Sequence, residues 1–132
     1  MQLTLNLVFI FASIGVLDTL YLIYHVIEGT DVACPFFPKE WCHKVQHSPQ
    51  SRTFGVPNAV AGFIMYAAII IFAYLYVLGA ASFVLVDILV GIGFLFSLYF
   101  MFVQGFVLRA FCTWCVLSFV NFAVMAWAVF IR

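Results

Sequence analysis

Cys112-Thr113-Trp114-Cys115-Val116-Leu117-Ser118-Phe119-Val120-Asn121-Phe122-Ala123-Val124-Met125-Ala126-Trp127-Ala128-Val129-Phe130-Ile131 is a C-x-x-C pair that runs into an apolar stretch without a single charge. A bilayer core needs about 20 such residues in a helix. This stretch therefore reads as a membrane span that begins at two thiols. A helix start favours negative charge, because its first N–H groups lack partners within the helix. Thiolate, the reactive form of cysteine, is stabilised there.

Working outward, three more runs have the same character, giving spans over 4–28, 57–78, 82–108 and 112–131. The whole chain of 132 residues is 67% hydrophobic and 8% charged. A soluble domain could not hide that much apolar surface. The expected fold is an all-α integral membrane protein: a four-transmembrane-helix bundle, one membrane domain over residues 1–132, with a long loop between helices 1 and 2. Barrel strands are excluded, since they would be short and alternating. The first run lacks a basic start and a small-residue cleavage site, and it carries Asp18 and His25, so it reads as a retained span. Net charge is zero, and no basic cluster points to nucleic acid. The lipid bilayer is the surrounding the composition implies.

Residues 29–56 form the long polar loop; the other connections, Gly79-Ala80-Ala81 and the turn near Arg109, are short. Phe36, Phe37 and Trp41 either lie on the membrane surface or pack a small core within the loop. Pro57 suits the first position of the second helix, where its missing N–H costs nothing. Positive charge gathers on the loop side, at Lys39, Lys44, Arg52 and Arg109, against Arg132 and the amino terminus on the other. By the positive-inside rule the loop side then faces the cytosol.

The four cysteines are Cys34, Cys42, Cys112 and Cys115. Four spans put the long loop and the turn between spans three and four on one side, so both pairs face one compartment. Three readings compete. Two structural disulfides would pin the loop, but C-x-x-C closes a tight, readily reduced ring. A four-cysteine zinc site, with help from His43 and His47, usually braces a soluble fold. The reading these residues favour is a two-pair redox relay, with the chain moving between connectivities by thiol–disulfide exchange. The loop pair Cys34/Cys42 would exchange with a partner protein. The pair Cys112/Cys115 would pass electrons to a lipid-soluble acceptor. No metal or flavin motif is visible, so a membrane quinone such as ubiquinone or menaquinone is the natural acceptor.

These residues resemble the vitamin K epoxide reductase family and its microbial homologues. The likeness rests on Cys34 and Cys42 with seven residues between them, Ser48 six positions on, and Phe54-Gly55-Val56-Pro57-Asn58 leading to Gly62 and Tyr66. It closes with Phe111-Cys112-Thr113-Trp114-Cys115-Val116-Leu117-Ser118, and Tyr24-His25-Val26 adds a weaker echo. The resemblance implies a four-helix bundle around a quinone site, capped by the loop. It implies that Cys115 contacts the quinone, that Cys112 exchanges with Cys42 and that Cys34 meets the partner. It implies that Asn58 hydrogen-bonds a quinone oxygen and that Ser48 sits near the active thiols. Phe119 stands on the quinone side, where some animal members carry a tyrosine. The missing hydroxyl speaks against vitamin K epoxide reduction and leaves simple quinone reduction untouched. Many microbial members continue into a thioredoxin-like domain. This chain stops at Arg132, so the expected partner is a separate thioredoxin-like protein. Family resemblance puts the cysteines outside the cytoplasm, against the charge pattern. Cytosolic disulfides are unusual, though known in hyperthermophiles.

Each residue also has a plainer reading. Asn58 would brace the second helix, Ser48 would make a turn before Pro49, and Arg109 would anchor the third span rather than favour the Cys112 thiolate. Asp18 and Asp87 are costly inside a span and so are functional candidates. The expectation for Asp18 is a hydrogen bond shared with another helix, and for Asp87 a reach to the interface. Gly91 and Gly93 would allow close helix approach. The function expected is a membrane thiol:quinone oxidoreductase that drives protein disulfide formation. The alternative is a vitamin K quinone or epoxide reductase. From another class, the alternative is a non-enzymatic membrane subunit or transporter with structural disulfides.

Overall fold

The computed structural model of the protein describes residues 2–29, 38–46, 52–53 and 56–131, with backbone alone at positions 39, 42, 45, 46, 52, 53, 56 and 57. Helix α1 covers Gln2–Glu28, α2 Lys39–Gln46, α3 Asn58–Val77, α4 Val84–Phe102 and α5 Thr113–Phe130. A two-residue antiparallel ladder joins β1, Arg52–Thr53, to β2, Val56–Pro57. Pro57 therefore ends the ladder just before α3 rather than opening the helix, a one-residue difference of the kind expected at helix ends.

Helix α4 continues through a π-helical segment, Val103–Leu108. With that extension, four helices are long and apolar enough to cross a membrane: Gln2–Glu28, Asn58–Val77, Val84–Leu108 and Thr113–Phe130. The chain is a multi-pass membrane protein. Its outer surface fits that environment, with Leu95 64% and Phe106 72% exposed among many outward-facing aliphatic and aromatic side chains. The spans lie where the apolar runs put them. What the runs do not reveal is α2, a short helix inside the polar loop.

The four long helices form a ring in which α1 packs on α3 and α5, and α4 packs on α5 and α3. The turn between α3 and α4 closes on Gly79, at φ +79. The Ala80 N–H donates to the Leu75 carbonyl at 2.8 Å, so the last carbonyls of α3 are satisfied in the way a left-handed glycine permits.

Without a hydrophobic drive between helices in lipid, packing of small against large residues holds such a bundle together. Here two glycines face two rings. A Cβ on Gly15 of α1 would clash with the Tyr66 ring of α3, and one on Gly93 of α4 would clash with the Phe122 ring of α5. Those rings stack on each other with centroids 4.6 Å apart and planes 18° apart. A layer of glycine, ring, ring and glycine thus crosses the bundle through all four helices. Gly93 fulfils its expected role; Gly91 does so less, since its added Cβ would meet Phe130 only at an ordinary 3.4 Å.

The buried apolar side chains form two clusters. The larger includes Val8, Ala12, Tyr66, Ile69, Val86, Val90, Phe122 and Met125. The smaller comprises Leu22, Phe100, Val103, Leu108, Ala110 and Cys112, with Tyr21, Trp41, Ala59, Trp114 and Cys115 packed against it. Along α1, Asp18 and Thr19 fall between the two clusters; along α5, Ser118 and Asn121 do.

Candidate active site

The smaller cluster holds the C-x-x-C pair. Cys112 is the N-cap of α5, with extended backbone at φ −96 and ψ 126, and its carbonyl accepts the Val116 N–H at 2.9 Å. Cys115 follows in the first turn, where the N–H groups lack partners within the helix. That is the setting in which helix dipole and amides stabilise thiolate. Cys112 is fully buried and Cys115 half-buried. Trp114, between them, lies against Tyr21 of α1 with ring centroids 4.5 Å apart, and Tyr21 meets His25 edge-on at 4.5 Å.

Gln104 fixes the approach to this pair, and the sequence reading passed over it. It is fully buried in the π-helical segment. Its side-chain oxygen accepts the Cys112 N–H at 2.9 Å, and its side-chain nitrogen donates to the Phe100 carbonyl at 3.4 Å. Its own carbonyl accepts the N–H groups of Arg109 and, at 3.0 Å, Ala110. The signal that would have found it is an uncharged polar residue deep in an apolar run, eight positions before Cys112. The wider π turn brings side chain and backbone of one residue to bear on the bend that leads to the cysteines; such turns are frequent at functional sites.

Gln104→Leu removes the side-chain acceptor of the buried Cys112 N–H, which costs about 1–3 kcal/mol. The expected result is a lower unfolding midpoint and a Cys112–Cys115 pair oxidised about tenfold more slowly, since 1.4 kcal/mol is a factor of ten. Gln104→Glu, which keeps the acceptor oxygen, recovers most of that rate. Stopped-flow oxidation of the two variants checks both statements.

Arg109 adopts left-handed backbone, φ 54 and ψ 39, and closes the π segment with an exposed side chain. Its visible part in the site is that bend. Asn58 is the first residue of α3 and half-buried, and the next residue, Ala59, packs against the cysteine cluster. Phe119 sits one turn beyond Cys115 on α5 and stacks on Phe94 of α4 with centroids 5.9 Å apart. Cys34 and Ser48 lie outside the described residues, as do Phe36, Phe37 and His47. Cys42 belongs to α2, which rests on the π-helical segment; its side chain is outside the description. One residue earlier, Trp41 packs on the cysteine cluster and faces Phe111, with centroids 6.4 Å apart. Trp41 thus anchors the loop to the thiol end of the bundle, rather than serving only a core within the loop.

Among the described residues no group of His, Cys, Asp and Glu is arranged to hold a metal ion. An open groove lined by Gln2, Leu5, Asn6, Phe9, Tyr76 and Val77 lies at the other end of the bundle, where α1 begins and α3 ends.

Asp18 is 3% exposed, and neither carboxylate oxygen has a hydrogen-bond partner among the described residues. The hydrogen bond expected from another helix is therefore not found there. Thr19, its neighbour, donates instead to the Gly15 carbonyl of its own helix at 2.9 Å. Asn121 of α5 is equally buried, with both polar side-chain atoms unpartnered among the described residues. Tyr66 and Ser118 pair with each other, their hydroxyl oxygens 2.7 Å apart. Asp87 sits half-buried in the first turn of α4, where the helix start favours a carboxylate.

The sequence model of the vitamin K epoxide reductase family matches residues 6–130. A stretch of 53 residues is 42% identical to a protein of Arabidopsis thaliana named thiol-disulfide oxidoreductase LTO1. That stretch is 40% of this chain and 14% of the plant protein, so the chain spans a small part of that relative's length.

Proposed function

Since this chain belongs to the vitamin K epoxide reductase family, we propose that it is a membrane thiol:quinone oxidoreductase that drives protein disulfide formation. The observation that carries this reading is the C-x-x-C pair at the start of α5, with the Cys42 helix resting on the segment that leads to it. The relative's name, a thiol-disulfide oxidoreductase, supports the same chemistry.

In this reading the two thiols of a separate thioredoxin-like protein reduce the Cys34–Cys42 disulfide by exchange. The partner leaves oxidised, and Cys34 and Cys42 are left as thiols. Exchange between Cys42 and Cys112 then carries the two electrons to the C-x-x-C pair, each step requiring only that a thiolate reach a disulfide sulfur. Quinone supplies a two-electron, two-proton acceptor dissolved in the bilayer. The surroundings of Cys115 fit such a ring: it is half-buried in an aromatic and aliphatic cluster, with Phe119 one turn on. Asn58 would hold a quinone oxygen through its side-chain amide. Net, two thiols become one disulfide and one quinone becomes one quinol.

The test is the purified full chain in nanodiscs with a reduced thioredoxin-like protein and a short-chain ubiquinone or menaquinone. Quinol formed in equal amount to disulfide supports the proposal; quinone left unreduced sinks it.

The excess of Lys39, Lys44, Arg52 and Arg109 over Arg132 favours a cytoplasmic thiol side in this reading. A C-terminal reporter active only outside the cytoplasm is then expected to be active. Activity from a C-terminal reporter that works only in the cytoplasm would reverse the orientation.

A further inference from the structure

Asp18 and Asn121 stand outside the relay just described. Among the described residues they are the two side chains whose buried polar atoms lack partners. Asp18 is 3% exposed and Asn121 1%. A polar group shut away from water without a hydrogen bond is costly, and an acidic residue inside a span faces a partner or a pathway. Packing brings the two to one place. The Tyr66 ring of α3 lies on Gly15 of α1, and its Cζ, the carbon that bears the hydroxyl, is among the atoms a Gly15 Cβ would meet. Asp18 is three residues on from Gly15, on the same buried stripe of α1. Helix side chains lean towards the N-terminus and lie over the turn before them, so Asp18 leans over Gly15 and the hydroxyl end of Tyr66. That hydroxyl lies 2.7 Å from the Ser118 Oγ of α5. Asn121 is three residues on from Ser118 and by the same lean covers it. Helices α1 and α5 pack on each other and run in opposite directions. One unpartnered side chain therefore comes to the Tyr66–Ser118 pair from each flank.

We propose that Asp18 and Asn121 hold buried water between α1 and α5, beside the Tyr66–Ser118 pair. The unpartnered atoms select this occupant. Asn121 Nδ2 only donates, so a metal ion could not satisfy it. Asn121 Oδ1 only accepts, and a carboxyl accepts in either protonation state, so a quinone carbonyl would leave these oxygens unmet. Water does both. One molecule takes an N–H of Asn121 Nδ2 and donates to an Asp18 oxygen; another donates to Asn121 Oδ1 and to the other Asp18 oxygen. Each then has the two polar partners that a buried water needs at the least, and the hydroxyls beside them offer more. A water takes roughly 30 Å³, which asks less of a close-packed interior than a ring or a lipid headgroup does. The bound water closes the polar layer between the two apolar clusters and ties α1 to α5 where the two side chains do not bond each other. It stands apart from the thiol:quinone reading, because it is detected without turnover.

The experiment is NMR of the full chain in deuterated micelles, with nitrogen-labelled asparagine. The chain has three asparagines, Asn6, Asn58 and Asn121, so the side-chain amide signals are few, and Asn121→Leu identifies its own by their loss. Overhauser contacts to water are recorded in the laboratory and rotating frames, whose relative signs separate contact with long-held water from hydrogen exchange. The Asn121 amide is expected to show long-held water. The exposed Asn6 amide should show none and serves as the control. Asp18→Asn keeps polar atoms in place and should keep the Asn121 signal, while Asp18→Leu should lose it. A second measurement is the thermal midpoint. Asp18→Leu and Asn121→Leu should each lower it, and the double variant should melt no lower than the worse single, because an apolar pair has no polar atoms left to satisfy.

An Asn121 amide without long-held water in the wild type would overturn the proposal, whether the layer is dry or Asp18 bonds Asn121 directly. So would a water signal that survives Asp18→Leu, or losses of the two single variants that simply add in the double one. Failure of quinone reduction in the assay above would leave these outcomes unchanged.

Discussion

Cys115→Ala is expected to lower quinone-coupled thiol oxidation by on the order of 10³-fold or more, the scale on which loss of a covalent nucleophile is felt. Cys112→Ala should cost as much, and the double variant no more than either, because the two sulfurs act as one unit. The physical reason is local. Both residues stand at the N-terminus of α5, Cys112 as the cap and Cys115 in the first turn. Only Cys115 is open to the surrounding cluster edge, while Cys112 is fully buried. A serine in either place keeps the shape and the polar contacts but not the exchange chemistry, so Cys115→Ser should be as inactive as Cys115→Ala while melting near the wild type. The measurement is quinol formation in nanodiscs beside a thermal midpoint for each variant. Full activity in Cys115→Ala would return the protein to the class of non-enzymatic membrane subunits with structural cysteines.

The second large effect concerns stability. Gly15→Val and Gly93→Val should each destabilise the bundle by about 3 kcal/mol or more, at the upper end of overpacking costs. At both sites even a Cβ would clash with an aromatic ring rather than with the far end of a flexible side chain. The rings have nowhere to go. Tyr66 is held by Ser118 and stacked on Phe122, and Phe122 is pinned between Tyr66 and Gly93. The contrast is Gly91→Val, where the same methyl groups meet only the tip of Phe130 and a wild-type midpoint is expected. Trimming the opposing ring should recover part of the loss: Gly93→Val with Phe122→Leu should be more stable than Gly93→Val alone. Denaturant titration in mixed micelles measures all four. Equal midpoints for the Gly91 and Gly93 variants would show that the ring layer does not govern assembly.

The membrane spans were legible because each needs only a long apolar run, and their ends moved by a residue or two. The C-x-x-C at a helix start was legible for the same reason, since span and motif are contiguous. What could not be read is what depends on contacts between distant residues. Gln104 is eight positions from Cys112 and reaches it only because the end of α4 widens into a π turn. Nothing in Val103–Leu108 marks that widening. Helix α2 is a single short amphipathic segment, and its place is set by Trp41 finding the cluster around Cys112. The hydrogen bond expected for Asp18 was an inference from cost alone. Burial without a partner among the described residues is the opposite outcome.

The split of the interior into two apolar clusters has a consequence for how the molecule breathes. Contacts on α1 and α5 come in two blocks, parted by Asp18, Thr19, Ser118 and Asn121. Such a division favours opening in sub-global steps, with each block behaving as its own cooperative unit. The thiol end is built largely from short pieces, a π turn, a bend and one helix of the loop. The far end is four long helices locked by rings against glycines. Thiol exchange at the fully buried Cys112 requires that the thiol-end block loosen. The polar layer is where that loosening would stop, so that the catalytic end opens while the anchor in the lipid stays shut.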